Sequence, residues 1–210
     1  MKVLKIIGVL VLLIVVVNGV WIMTGTNVRQ LRDAASLTPD GKAQKTHDQD
    51  ALDYSVATRI SAPPAIVWSV LTDAPSYTTW NSTFLKMEGT IAQGSKINIV
   101  VKDAPEKTFP LEVSTFEAPK RMVWEDGGKI FMGVRNFTLT PNPDGSTTFA
   151  MSETFSGRML SMIEPKLPDF THSFEVFAAD LKKASEAKVP PPPPPPAAAL
   201  EPDAGAAPAP

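Results

Sequence analysis

From residue 52 the chain alternates. Leu52, Tyr54, Val56, Thr58 and Ile60 are interleaved with Asp53, Ser55, Ala57 and Arg59, the period-two pattern of a strand with one buried face. Pro63-Pro64 then opens a short helix, where a missing N–H costs nothing, and Val67, Val70 and Leu71 supply its apolar side. The stretch 75–84, with Tyr77, Trp80 and Asn81, reads as a second short helix or turn. Six further strands are predicted at 84–91, 96–102, 108–116, 121–125, 129–140 and 147–156. Gly94, Pro119-Lys120, Gly127-Gly128 and Asp144-Gly145 mark turns between them. Residues 168–188 carry Phe170, Phe174, Phe177, Leu181 and Ala184 at helical spacing, so a long amphipathic helix closes the run. The expected class is α+β: a curved antiparallel sheet of about seven strands wrapped around a long C-terminal helix. Both elements must bury an apolar face, the sheet's twist curls it around the helix, and a cavity between them is the expected by-product.

The flanks follow other patterns. Residues 6–23 contain no charge, and as a helix they would span about 27 Å, close to the hydrocarbon thickness of a bilayer. Behind the basic N-terminus at 1–5, this stretch reads as a transmembrane anchor or as a cleaved signal peptide. No A-x-A-like cleavage site follows, Val17-x-Gly19 being the best substitute, so the anchor is favoured. Lys2 and Lys5 on one side and Arg29 and Arg32 on the other nearly balance. Asp33 and Asp40 dilute the latter pair, which places the domain on the extracytoplasmic side of the membrane. Residues 24–50 read as a stalk or linker, in which His47 is given no role. Residues 189–210 begin with the proline run 190–196, a stiff polyproline spacer followed by a disordered end. A partner domain that reads polyproline is the alternative to a merely solvated tail.

Composition narrows the chemistry. The chain of 210 residues has 20 Lys+Arg against 22 Asp+Glu, and this net charge of -2 lacks the basic excess of a nucleic-acid binder. With no cysteine and two histidines, thiol catalysis and Cys-ligated metal sites are excluded, and no metal or cofactor is expected. His172 falls opposite Phe170 and Phe174 on the helical wheel, facing solvent. No G-x-S-x-G serine motif is present. Glu125 and Asp126 are adjacent strand-end residues pointing to opposite faces, expected in a solvated turn.

Strand parity singles out two charges. Arg135 shares a face with Phe131, Phe137 and Leu139, and Glu153 shares one with Phe149, Met151 and Phe155. If the hairpin loop spans 142–146, Pro141 pairs with Thr147, Leu139 with Phe149, Phe137 with Met151, and Arg135 falls opposite Glu153. Both charges are then expected to point inward, as a buried pair. Trp80, Phe131 and Phe174 complete the expected ligand-binding set, whereas Trp68 is assigned to helix-to-sheet packing and Trp124 is left unassigned.

Several motifs carry a resemblance. They are Ile60-Ser61-Ala62-Pro63-Pro64-Ala65-Ile66-Val67-Trp68, Leu71-Thr72-Asp73, Tyr77-x-x-Trp80-Asn81, Val123-Trp124-Glu125, the run 137–141, Asp144-Gly145-Ser146-Thr147-Thr148 and the run 153–157. In this order and spacing, residues 51–188 resemble the START-like helix-grip (SRPBCC) superfamily, which includes the polyketide cyclase/dehydrase and lipid-transport proteins and the birch pollen allergen. A proline usual after the Trp-Asn pair is replaced here by Ser82. The resemblance implies a deep apolar cavity for a lipid, polyketide, sterol or other hydrophobic molecule, and it implies no particular reaction. The leading expectation is a membrane-tethered binder or carrier of such a molecule. The alternatives are a cyclase- or dehydratase-like enzyme using a cavity carboxylic acid, with Glu153 as the acid, and an envelope interaction protein working through its tail.

Overall fold

Alternation becomes strand along most of the expected run in the computed structural model, which describes residues 37–48, 50–128 and 130–191. The strands are β1 (Gln44–Asp48), β2 (Ala51–Ile60), β3 (Phe84–Gly89), β4 (Lys96–Val101), β5 (Ala104–Glu117), β6 (Arg121–Gly127), β7 (Met132–Pro141) and β8 (Thr147–Ser156). They form one antiparallel sheet in the order β1-β2-β8-β7-β6-β5-β4-β3. The helices are α1 (Pro64–Leu71), α2 (Tyr77–Trp80), α3 (Leu160–Ile163) and α4 (Thr171–Glu186). The observed class is α+β with α4 packed on the sheet, as expected.

Three elements were not expected. Strand β1 lies inside the stretch read as a linker, so the sheet has eight strands where about seven were expected. Its sequence Gln-Lys-Thr-His-Asp has no apolar alternation, because an edge strand can be held by backbone pairing alone while its side chains stay in water. The short helix α3 and the 3-10 turn Glu164–Lys166 after it fill the connection to α4. Among the described residues no helix is long and apolar enough to cross a membrane. The apolar run 6–23 and the tail from residue 192 lie outside the described residues.

The β7–β8 loop sets the register of the sheet's centre. The Asp144 carboxylate accepts the Ser146 N–H at 3.2 Å and its hydroxyl at 2.7 Å, and Arg59 pairs with the same side chain. These hydrogen bonds, first of all that from the Ser146 hydroxyl, hold the Asp144 carboxyl down at about 2. Gly145 takes the left-handed φ of +83° that the turn needs. With the loop closed in this way, Pro141 pairs with Thr147, Leu139 with Phe149, Phe137 with Met151, and Arg135 with Glu153. A slip of one residue would turn every one of these side chains to the other face.

Helix α4 supplies the other half of the core. Phe174, Phe177, Ala178 and Leu181 are buried along one side of it, at the i, i+3, i+4 and i+7 positions of one helix face. Polar links fasten its length to the sheet and loops. Lys182 donates to the Arg59 carbonyl at 2.6 Å, and Glu186 accepts the Ser61 N–H at 2.8 Å. Asp180 accepts both the N–H and the hydroxyl of Ser82 at 2.7 Å. A proline at position 82 could make neither bond, which gives the departure from the family's usual residue a local reason.

Candidate functional site

Across the middle of the inner face, β2, β8, β7 and β6 bring Tyr54, Glu153, Arg135 and Trp124 into one row. Arg135 donates to Glu153 Oε2 through Nε at 3.0 Å and through Nη2. Its guanidinium carbon also lies 5.5 Å from the Phe174 ring centroid, so α4 covers the pair from above. Only 15% of the Arg135 side chain and 13% of the Glu153 side chain are exposed. The inward placement read from parity is therefore the observed one. Beside the row, Tyr77 is fully buried and donates its hydroxyl to the Leu71 carbonyl at 2.9 Å; burial pushes this phenol well up, against the opposing pull of Arg135.

Arg135 forms part of the wall of a cavity between the sheet and α4. Phe84, Val101, Met151, Phe170, Phe174 and Phe177 supply the apolar wall, and Thr83, Asp103 and Ser173 stand with Arg135 as its polar groups. The space open to the centre of a water molecule is about 30 Å³. That is far below the roughly 300–1,000 Å³ of an ordinary ligand pocket. The deep cavity expected from the resemblance is therefore closed here to a small polar-and-aromatic cleft. The closing contacts are side chains of α4 against the sheet. At the rim the Ser173 hydroxyl donates to Asp103, which joins α4 to the turn between β4 and β5.

The residues expected to bind ligand divide into two groups. Arg135 and Phe174 line the cleft, and Glu153 is joined to it only through its hydrogen bonds to Arg135, itself standing outside the lining. Trp80 and Phe131 stand outside its lining. Trp80 packs on Tyr77 at 4.8 Å and on Phe177 at 5.6 Å between centroids, and Phe131 stacks on Phe155 at 6.0 Å. Trp68 packs on Phe116 from α1 to the sheet, and Trp124 on Phe137, as parts of the core. His172 is exposed. His47, given no role, sits on β1 with Nε2 3.1 Å from Glu164 Oε2.

One carboxylate contradicts the solvated-turn reading. Glu125 and Asp126 do point to opposite faces, but Asp126 shares the inner face with Trp124 and is half-buried. Its Oδ1 accepts the Gly133 N–H at 3.0 Å, lying where any larger residue at 133 would run into it. Desolvation raises the Asp126 pKa above its ordinary value of 3.8, more than the Gly133 hydrogen bond and the charges of Arg135 and Lys107 lower it. The sign follows from linkage. Below 3.8 the acid is protonated folded or unfolded, and at neutral pH the folded chain alone carries the penalty of a desolvated charge. Asp126→Asn, which keeps the acceptor for Gly133, should therefore raise Tm at pH 7 and leave it unchanged at pH 3. A lower Tm at pH 7 would show that the charge stabilises the fold. The period-two parity of β6 was the signal that could have placed Asp126 inward.

Fold and site together define a helix-grip protein: a sheet curved on a C-terminal helix, with an ion pair turned into the space between them. A model of the polyketide cyclase / dehydrase and lipid transport family matches residues 51–187, and the chain belongs to that family. No curated protein matches the chain. Solved structures share the fold at low identity. A conserved protein of unknown function from Enterococcus faecalis is similar at TM-score 0.53 and 14% identity, over 73% of this chain and 82% of that one. A protein from Rhodobacter sphaeroides is similar at TM-score 0.52 and 16% identity, over 70% and 100%. A norcoclaurine synthase of Thalictrum, solved with a transition-state analogue, is similar at TM-score 0.51 and 12% identity, over 67% and 97%.

Proposed function

We propose that this protein binds or carries a hydrophobic small molecule or lipid between its sheet and α4, tethered to a membrane by residues 6–23. The observation that carries the reading is Arg135, ion-paired with Glu153, in the wall of a phenylalanine-lined cleft. A core that had only to pack would be at least as stable with two apolar residues there, because desolvating both charges offsets most of their attraction. A polar end on an otherwise apolar guest gives the pair a use. The family's description as lipid transport supports the same reading.

The closed cleft has room for water only, so uptake requires α4 to part from the β4–β5 turn. Helix α4 packs chiefly on β2 and α1, on the far side of the cleft. Toward β5 the link is the exposed Ser173–Asp103 hydrogen bond, which water can replace at little cost. For the membrane part, the uncharged run 6–23 is long enough to span, and the dilution of Arg29 and Arg32 by Asp33 and Asp40 supports an extracytoplasmic domain.

Native mass spectrometry of the full chain, released gently from its own membrane, should show a non-covalent adduct of lipid or small-molecule mass. The Arg135→Met/Glu153→Gln variant should lose it. In the same cells, protease added outside the cytoplasmic membrane should reach the domain. A chain that arrives empty from its native membrane would overturn the binding reading, and a domain shielded from protease would overturn the orientation.

A further inference from the structure

We propose that the outer face of the sheet is a docking surface for the chain's own residues 26–36, which lie across it as a short amphipathic helix. This surface is on the opposite side of the sheet from the cleft and is independent of what the cleft binds.

Strand parity turns half of the side chains of the sheet away from α4. Among them the pairings of Ser55 with Ser152, Ser152 with Asn136 and Asn136 with Val123 make one row from β2 to β6, and the pair Ala57 and Ala150 lies in the next row. A face open to water would leave small side chains wetted from above. These six are instead buried, between 1% exposed for Ala57 and 7% for Asn136. Ser152 shows that the burial calls for a cover. Its hydroxyl is closed to water and has no hydrogen-bond partner among the described residues, an unfavourable state that a segment laid over the row with a polar group in reach would relieve.

The chain itself arrives at this place. Leu37, the first described residue, is buried in a small apolar cluster with Ala57 and Ala150, apart from the main core. The residues just ahead of it carry the pattern of a helix with one apolar side. Val28, Leu31 and Ala35 stand at i, i+3 and i+7, Arg29, Gln30 and Asp33 fall elsewhere on the wheel, and Thr26 or Asn27 supplies a cap. The lengths agree. From Val28 to Leu37 a helix rises about 14 Å, and the three strand spacings from β2 to β6 also come to about 14 Å. With Leu37 over β2 and β8, Val28 falls over Val123, the apolar residue at the far end of the row. Docking also takes up the slack of the linker. Free, residues 24–36 could stretch to about 45 Å. Docked, they leave only Thr24 and Gly25 between the helix and the apolar run 6–23, so the proposed anchor would hold the domain close to the bilayer.

The chain has no cysteine, so one introduced thiol reports on one place. Ser152→Cys and, as a reference at the exposed end of the same face, Thr140→Cys are made in the full chain and labelled with a polar maleimide. Each is held at one copy per phosphatidylcholine nanodisc, so that a second chain cannot supply the cover. Ser152→Cys should react at least about tenfold more slowly than Thr140→Cys. Adding Leu31→Asp and Ala35→Asp, which place charge on the docking side of the segment, should bring the two rates to within about threefold while tryptophan emission stays unchanged. Ser55→Cys, in the same row, gives the same reading should Ser152→Cys disturb the fold. Equal rates with the native segment would show an open face and overturn the proposal. A slow rate that the two aspartates leave unchanged would also overturn it, because the cover would then come from somewhere other than residues 26–36.

Discussion

Phe177→Ala is expected to lower the unfolding free energy by about 3–5 kcal/mol, the range for deleting a buried phenylalanine ring. Phe177 is 2% exposed and lies where every layer of the domain meets. Its ring centroid is 5.6 Å from Trp80, 5.9 Å from Phe137, 6.1 Å from Phe84, 6.2 Å from Phe149 and 6.5 Å from Tyr77. These five rings come from α2, β7, β3, β8 and α2 again, so no single element can shift to fill the void. Phe177 also lines the cleft, and its removal would enlarge that space rather than create a separate one. Urea unfolding followed by tryptophan fluorescence reads the loss. A change below about 1.5 kcal/mol, the scale of a minor repacking, would mean that α4 is not the element that closes the core.

The second large effect is a difference between single and double replacement at the ion pair. Glu153→Gln and Arg135→Met are each expected to destabilise by about 3 kcal/mol, near the low end for breaking a buried pair because some solvent still reaches both side chains. Each single variant strands one desolvated charge. The double variant strands none, and it should unfold within about 1 kcal/mol of the parent chain. Thermal or denaturant melts of the four proteins complete the cycle. Additive losses, with the double variant worse than either single one, would place the pair effectively in water and end the argument that it faces an interior.

The pattern of the chain made much of this visible. Parity alone put Arg135 and Glu153 on the inner face, and the five residues 142–146 with their Asp-Gly turn fixed the pairing that sets them opposite each other. Both signals are local: the strand period is a property of the backbone, and the turn spans a handful of residues. The edge strand β1 was invisible for the same reason, since its polar residues carry no period to read. Asp126 lay within reach of the parity argument. Its position beside a turn pointed to solvent, and only the glycine at 133 across the strand made room for it inside.

The sequence by itself determined which face each residue takes, the order of the elements, and the presence of two opposed charges in an apolar interior. Tertiary structure alone decided how much space is left around them. Trp80 and Phe131 face the right way yet miss the cleft, because Trp80 is taken up by Tyr77 and Phe177 and Phe131 by Phe155. The cleft is about 30 Å³ because phenylalanines from α4 fill the concave side of the sheet, and volume depends on how side chains remote in sequence interlock. Periodicity encodes direction, and a cavity is what direction leaves over after packing.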